Sequence, residues 1–322
     1  MSAAVAATMR ASQYLRYGPP EVLHEASVDV PHPGHGEVLV RVHGSGVNPL
    51  DARIRRGGLR VASGFTFPKG IGLDYAGEIA SLGEGVEGHA VGDAIWGFLP
   101  GIPGRSTLAV AEYVVVKVGT FSAAPTSIDL TDAAALPLAA STALLALRDH
   151  AHLKAGEKLL VRGGSGGVGT AAIQLAVALG AEVTALTGPS TLNFVRELGA
   201  HAALDYHTHG PSQLGKYDVI LDLNGHHLAS YRRQLGHHGR MVTTSFAGAG
   251  YIVAAAIFGP KRIRTLAATP QPDVLSAVAE FVERGELLPT IDGVYPLADA
   301  AFAHAALERG AGRGKQLIDV RA

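Results

Sequence analysis

The stretch Lys158-Leu-Leu-Val-Arg-Gly-Gly-Ser-Gly-Gly-Val-Gly169 decides the fold. Leu159, Leu160 and Val161 form the short apolar run that a buried parallel strand needs. Beyond the glycines, Gly169 to Leu179 reads as an Ala-rich helix closed by Gly180, and Glu182 to Leu186 as a second strand. Gly164-x-Gly166-x-x-Gly169 thus sits at a strand-to-helix turn inside a βαβ unit, where a dinucleotide fingerprint belongs. The first glycine is expected to make the tight turn. The second would let a pyrophosphate approach the backbone, and the third would pack helix on strand. Phosphate charge would then meet the N–H groups at the helix N-terminus. Gly164, Ser165, Gly166, Gly167, Val168 and Gly169 are accordingly the expected cofactor-binding turn.

Working outward, 322 residues suggest about two domains, each large enough for its own core. With 47% apolar residues, 17% charged residues and a net charge of −1, the chain reads as globular. That balance points away from nucleic acid or an anionic membrane as partner. Cysteine is absent, which removes disulfides, thiolate nucleophiles and Cys-ligated zinc, and fits a cytoplasmic location. Met1 to Thr8 lacks the basic and apolar regions of a signal peptide, and Met9, where the patterned sequence begins, is a candidate start. The longest apolar stretch, Tyr251 to Phe258, is too short to span a bilayer.

Residues 9–128 read as β-rich, with Val38 to Val42, Gly77 to Ala80, Ala94 to Gly97 and Ala111 to Val116 as short strands. Turns such as Pro31-His-Pro-Gly34 separate them, the pattern of a small barrel-like domain. Near Asp129 the pattern changes: Leu130 to Leu136 begins a helix with Thr131 as candidate N-cap, and Thr142 to Arg148 continues helical after Pro137. From Lys158 to about Thr269 strands alternate with helices, the signature of a doubly wound parallel sheet. A helix from Asp273 to Arg284, a strand from Pro289 to Pro296, a helix from Ala298 to Glu308 and a strand from Lys315 to Val320 follow. The nucleotide domain is thus expected to be inserted between two parts of the other domain.

Several segments carry a resemblance: Tyr17-Gly-Pro-Pro-Glu-Val-Leu23, Gly46-Val-Asn-Pro-Leu-Asp51, Gly72-Leu-Asp-Tyr-Ala-Gly77, Val91-Gly-Asp93, Ala111-Glu-Tyr113, Leu136-Pro-Leu-Ala139, Gly163 to Gly169, and Gly314-Lys315. In this order and over nearly the whole chain, the sequence resembles the medium-chain dehydrogenase/reductase superfamily in its zinc-free, quinone-oxidoreductase-like branch. The resemblance implies an α/β protein with a GroES-like β-rich substrate domain (1–128 and 270–322) and a Rossmann domain (129–269). It also implies a homodimer. Fold likeness gives no substrate, because this fold hosts many reductions.

Where zinc-dependent relatives place Cys, His and Cys, this chain carries Asn48, Leu73 and Leu138. Leucine cannot ligate a metal, and an amide is a poor zinc ligand, so no zinc is expected. Without a Lewis acid, what remains is hydride delivery to a carbon that is already electrophilic: a quinone, or the β-carbon of an enone or enal. No acid stands at Leu186-Thr-Gly-Pro-Ser190, about twenty residues past the first glycine, so a ribose 2′-phosphate meets no repulsion. Thr187, Ser190 and Thr191 are its candidate donors, which favours NADPH over NADH, although Ser190 stands where similar enzymes place a basic residue. Tyr206 is a candidate wall for the adenosine end, or else a Tyr packed at a strand end.

The resemblance places Asn48, Thr142, Asn224 and Ser245 at the nicotinamide end, Lys315 among the cofactor-binding residues, and Tyr75 as nearest candidate proton donor. Asn48 is read as donating to the substrate oxygen or cofactor ribose; the plainer reading is an Asn shaping the turn before Pro49. Thr142 also fits as an ordinary helix Thr, Tyr75 as core packing, and Asp222 as a structural group. Arg53 and Leu59 stand where quinone reductases carry Tyr, which argues against a flat quinone. Arg53, Arg55, Arg56 and Arg60 form a basic cluster, read as a solvated face or as a site for an acidic substrate. Phe65, Phe67, Trp96 and Phe98 wall a pocket or fill a core. His226-His227 and His237-His238, the second pair read as lying in the loop before Gly239, lack the spacing of metal sites, and His304 is read as a satisfied packing residue. A simple enoyl reductase, a reductive cyclase, a metal-free carbonyl reductase and a non-catalytic nucleotide-binding protein all remain open. The loops 97–108 and 246–264, expected to shape the substrate pocket, carry no readable recognition pattern.

Overall fold

The computed structural model describes residues 6–100, 108–244, 263–310 and 312–322. Ser245 and the Tyr251 to Phe258 run lie outside them, as do 101–107 and 246–262 of the two loops expected to shape the substrate pocket. Two compact units form: residues 1–138, 269–283 and 291–322, and residues 139–268 and 284–290. No described helix is long and apolar enough to cross a membrane.

The first unit opens with β1 (Thr8–Tyr14), β2 (His24–Asp29) and β3 (Glu37–Val47), followed by helices α1 (Pro49–Arg55) and α2 (Arg60–Ser63). Strands β4 (Lys69–Gly70), β5 (Asp74–Leu82), β6 (Ala94–Phe98), β7 (Tyr113–Lys117) and β8 (Phe121–Ala123) come next. Helix α3 (Leu130–Ala133) precedes α4 (Pro137–Leu144), which starts here and runs on into the second unit. The chain returns with α8 (Pro272–Glu283), β15 (Ile291–Pro296), α9 (Ala300–Arg309) and β16 (Lys315–Asp319). The larger sheet runs β15-β16-β3-β5-β6-β8, with β7 also on β3, and a smaller sheet runs β2-β1-β4. From Val38 to Val40, β3 is buried on both faces. Val38, Val40 and Val42 enter one apolar cluster with Leu73, Tyr75 and Ile79, while Leu39 enters another with Met9, Ala11 and Val115. That double burial matches the apolar run Val38–Val40; from exposed Arg41 the strand returns to alternation.

The second unit holds β9 (Lys158–Arg162), α5 (Gly167–Ala178), β10 (Glu182–Thr187), α6 (Leu192–Glu197), β11 (Ala202–Asp205), β12 (Tyr217–Asp222), α7 (Leu228–Arg232), β13 (Leu235–Thr243) and β14 (Ile263–Thr265). All pair in parallel in the order β11-β10-β9-β12-β13-β14. This is the doubly wound order, which reverses between β9 and β12, and ligands bind at the carboxyl ends of such a switch point. Leu160, Leu186, Ile220 and Met241 from four adjacent strands share one core.

Three local expectations are corrected. Asp129, not Thr131, caps α3: its Oδ1 accepts the Thr131 N–H at 2.7 Å, satisfying an orphan donor of the first turn. α4 passes into a π-helical turn, Leu145–His150, instead of continuing regularly to Arg148. His237 and His238 lie within β13, at an irregularity between two registers on β12, rather than in a loop.

Candidate functional site

In the second unit, the fingerprint loop follows β9. Gly163, one residue before the fingerprint, has φ +88°, so it makes the turn expected of Gly164. Gly164 is required by packing instead: a Cβ there would lie 3.0 Å from the Ala185 Cβ on β10. Gly169 is tighter, since a Cβ would fall 2.2 Å from the Gly163 carbonyl oxygen, bringing α5 against the turn. Gly166 differs from both. It is the N-cap of α5 without a side-chain cap, in extended backbone, exposed, and its Cβ would meet nothing nearer than 3.8 Å. An open, uncapped helix N-terminus at a switch point is the geometry a pyrophosphate needs. The residues fit a dinucleotide.

A buried ion pair braces this loop. Arg162, at the end of β9, pairs with Asp222 at the end of β12 and donates to the His226 carbonyl at 3.0 Å. The Tyr231 ring centre lies 3.4 Å from its guanidinium carbon. Asp222 Oδ2 accepts the Gly225 N–H at 2.9 Å and the Thr243 hydroxyl at 2.8 Å. Asp222 is therefore structural, and it shapes the turn that carries exposed Asn224. A Cβ on Gly163 would lie 3.2 Å from Asn224 Oδ1, so Asn224 and the fingerprint turn are neighbours. Tyr206, just past β11, is 52% exposed, and a Cβ on Gly188, at the end of β10, would lie 3.6 Å from its hydroxyl. Exposed Ser190 is two residues beyond. Thr187 does not fit its expected role: it is buried, and its hydroxyl bonds that of Thr191 at 2.6 Å, which in turn donates to the Gly188 carbonyl. Thr142 lies buried on α4.

In the first unit, Asn48 caps α1 as the residue before Pro49, and its own N–H donates to Asp51 Oδ2 at 2.8 Å. Both of its side-chain N–H groups and one lone pair of its oxygen are engaged. Nδ2 donates to the Gly46 carbonyl at 3.1 Å and to Asp74 Oδ2 at 2.9 Å, and Oδ1 accepts from the Lys315 ammonium at 2.6 Å. An ammonium only donates and a carboxylate only accepts, so this is the one orientation of the amide that satisfies both. Lys315 also bonds Asp74 Oδ2 at 2.9 Å, and Asp74 Oδ1 accepts the Leu138 N–H at the start of α4 at 2.7 Å. Gly46 admits no side chain here, because a Cβ would lie 2.6 Å from the Ala134 carbonyl and 2.9 Å from Asp74 Oδ2. Burial, and then the neighbouring Asp74 carboxylate, push the Asp51 carboxyl up to about 7 against the pull of the Asn48 N–H.

Three expectations change accordingly. Asn48 has no N–H left for a substrate oxygen; only an acceptor lone pair on Oδ1 remains. Lys315 gives two of its three ammonium N–H groups to Asn48 and Asp74, which makes it part of this cluster. Tyr75 is enclosed in the core of the first unit, burial holds its hydroxyl far above the usual phenol range, and it is not a proton donor. Trp96 and Phe98 are likewise core. Arg55 is no solvated residue: it is buried and paired with Glu308, which also takes Arg56. His304 is buried, with Nδ1 unbonded among the described residues, and burial lowers it to about 3. Asp74 and Asp51 were passed over in the sequence although both lie in quoted motifs. The available signal was an acid between apolar neighbours, Leu73-Asp74-Tyr75, which once buried must find a counter-charge.

Comparison with known proteins agrees with this architecture. Residues 34–126 match the alcohol dehydrogenase GroES-like domain, and residues 198–318 match the zinc-binding dehydrogenase family. The chain is 32% identical over 326 residues to the chloroplast envelope quinone oxidoreductase homolog of Arabidopsis thaliana, covering 97% of this chain and 98% of that one. It is 30% identical to the NADPH-dependent alkenal/one oxidoreductase of the same plant, covering 98% and 81%. The quinone oxidoreductase structure from Coxiella burnetii superposes with a TM-score of 0.90 at 29% identity, covering 98% of this chain and 100% of that one.

Proposed function

This chain belongs to the medium-chain dehydrogenase/reductase superfamily, in its quinone-oxidoreductase-like branch, and from that premise we propose a zinc-independent, NADPH-dependent reductase of activated C=C bonds or quinones. That it is an oxidoreductase follows from its relatives; the substrate class, the phosphate preference and the metal independence are the proposal.

The observation that carries it is the hydrogen bonding of Asn48. Of Asn48, Leu73 and Leu138, only Asn48 has an atom able to bind a metal, and that atom already accepts from the Lys315 ammonium. The donor set does not fit zinc. Without a Lewis acid on its alkoxide, alcohol oxidation is disfavoured, whereas the β-carbon of an enone and the ring of a quinone are electrophilic by themselves. NADPH, when bound, supplies a hydride from C4 of its nicotinamide. The open N-terminus of α5 at Gly166 would hold its pyrophosphate, and Tyr206 with Ser190 would flank the adenosine end. No acid follows β10 to repel a 2′-phosphate. Thr142, Asn224 and Asn48 remain the candidates for the nicotinamide end. Asp74 and Lys315 neutralise each other, so the cluster sets no net charge against the oxyanion that develops on the substrate. With Tyr75 enclosed, the completing proton would come from water.

The test follows nucleotide fluorescence as NADPH and NADH are titrated into the protein, then the reduced-nicotinamide absorbance with enones, quinones and ketones. Tighter NADPH binding, with oxidation by enones or quinones and not by ketones, is expected. A product that is cyclised rather than merely saturated would select the reductive-cyclase variant. Binding without turnover of any acceptor would favour a nucleotide-binding protein, and binding of neither nucleotide would refute the reading from Gly164 to Gly169 onward.

A further inference from the structure

We propose that His207, stacked on Tyr206 in the turn after β11, is the cation that selects NADPH over NADH by meeting the ribose 2′-phosphate; this rests on the dinucleotide reading of the second unit and needs no acceptor. The turns after β9, β10 and β11 are joined by backbone hydrogen bonds. The Gly163 and Gly164 N–H groups both donate to the Leu186 carbonyl on β10, at 3.0 and 3.3 Å. From the other side the Tyr206 N–H donates to the Thr187 carbonyl at 3.1 Å, one step past the pairing of Thr187 with Asp205. The fingerprint turn and the β11 turn thus lie two strand spacings apart, about 10 Å. That is within the length of one nucleotide. A pyrophosphate at Gly166 would leave the adenosine ribose over the ends of β10 and β11.

A phosphomonoester carries about 1.5 to 2 negative charges at neutral pH and binds best where a cation answers it. The turn after β10, Thr187-Gly-Pro-Ser-Thr191, supplies none. Arg196, on α6, is tied by Nη1 to Asn193 Oδ1 at 2.9 Å and by Nη2 to the Ala203 carbonyl at 3.4 Å. His209 is half-buried, with Nδ1 against the Thr208 hydroxyl at 2.9 Å and the Asp205 carbonyl at 3.3 Å. His207 differs from both. It is exposed, and its ring nitrogens have no hydrogen-bond partner among the described residues. Its ring centre is 4.3 Å from that of Tyr206, whose hydroxyl stands beside Gly188. Its backbone N–H donates to Asp205 Oδ1 at 3.0 Å, which fixes the turn and engages the acid of that turn.

An imidazole changes its charge between about pH 5 and 8, so selection by His207 carries a pH signature. The other titratable or charged groups around it are Asp205, Tyr206 and His209 on its own turn, with Arg196 and Glu197 on α6, which packs on β11.

The test titrates NADPH and NADH, by nucleotide fluorescence, into wild type, His207→Gln and His207→Arg. His207 is exposed, so all three should melt together. At about pH 6, His207→Gln should bind NADPH about 10-fold more weakly, the loss of one charge-assisted hydrogen bond, with NADH within about twofold. The wild-type advantage over His207→Gln should vanish by about pH 8, and comparing the two proteins cancels the titration of the phosphate itself. His207→Arg should keep the NADPH preference at both pH values. The His207 imidazole NMR signals should shift with adenosine 2′,5′-bisphosphate and not with adenosine 5′-monophosphate.

An unchanged ratio of NADPH to NADH affinity in His207→Gln would overturn the proposal. So would equal weakening of both nucleotides, the mark of a ring that only covers the adenine, or equal affinity of wild type for the two. A protein that shows the expected selectivity but reduces no acceptor would refute the reductase reading and leave His207 in its role. Binding of neither nucleotide would refute both.

Discussion

Two glycines three residues apart make opposite predictions, and the pair tests the dinucleotide site without assuming a substrate. A methyl group on Gly169 would lie 2.2 Å from the Gly163 carbonyl oxygen and 2.8 Å from both the Cα and the carbonyl carbon of Gly164. Those are backbone atoms, which cannot rotate away as a side chain can. Gly169→Ala must therefore push α5 off the turn, an overpacking cost of about 1–3 kcal/mol or more. A drop of several degrees in melting temperature, measured without nucleotide, is expected.

Gly166→Ala meets none of this. Its Cβ would be 3.8 Å from the nearest atom, and φ −80° with ψ 169° is a conformation alanine adopts freely. Alanine is a poorer N-cap than glycine, but it also loses less chain entropy on folding, so the net change should stay under about 1 kcal/mol. The added methyl, however, stands in the opening where a phosphate would approach the helix N-terminus. Loss of one charge-assisted hydrogen bond is worth about 1.5–3 kcal/mol, or roughly 10- to 100-fold in NADPH affinity. The assay is a thermal melt beside a fluorescence titration for each variant. If Gly166→Ala binds NADPH as tightly as wild type, the pyrophosphate does not sit at α5 and the reasoning fails.

Two further outcomes follow from burial. Tyr75→Phe should leave turnover within about twofold and stability within about 1 kcal/mol, because its hydroxyl is enclosed; a loss of turnover with the fold intact would restore Tyr75 as proton donor. Asp51 makes a pH prediction: its folded value of about 7 lies above its ordinary 3.8, so the folded state holds the extra proton between them. Its contribution is full below about pH 4 and is lost as pH rises through 7, about 1.4 kcal/mol per pH unit and about 4 kcal/mol in all. His304, lowered to about 3, has the opposite slope below 6.5, so the comparison of urea midpoints from pH 5 to 8 is made between wild type and Asp51→Asn, which cancels it. Equal slopes for the two proteins would show that Asp51 is ionised in the fold.

What the sequence discloses here depends on how far apart the cooperating residues are. The fingerprint was readable because its strand, turn and helix are contiguous, and each glycine answers a constraint set within about twenty residues: β9, β10 and the start of α5. Even there the turn shifted by one residue, since either of two adjacent glycines could adopt the positive φ and only the packing of Gly164 on Ala185 chooses Gly163. Thr187 was misplaced for a related reason. A strand alternates its side chains, and which face meets water is set by what covers the sheet, here Thr191 returning from the next turn.

The Asn48 cluster lay beyond local reading altogether. Its members come from the end of β3, the start of β5 and the start of β16, and they meet only because β3 pairs antiparallel with both other strands. The register Val47 to Gln316 and Gly44 to Ala76 delivers Lys315 and Asp74 to opposite sides of the same strand end. Gly46, between them, leaves the space in which their side chains close over Asn48. A lysine after a glycine near the C-terminus and an aspartate before a tyrosine are individually unremarkable, and each alone would be expected at the surface. Once the sheet buries both, neither charge is tolerable without the other, and the amide between them has one orientation left to it.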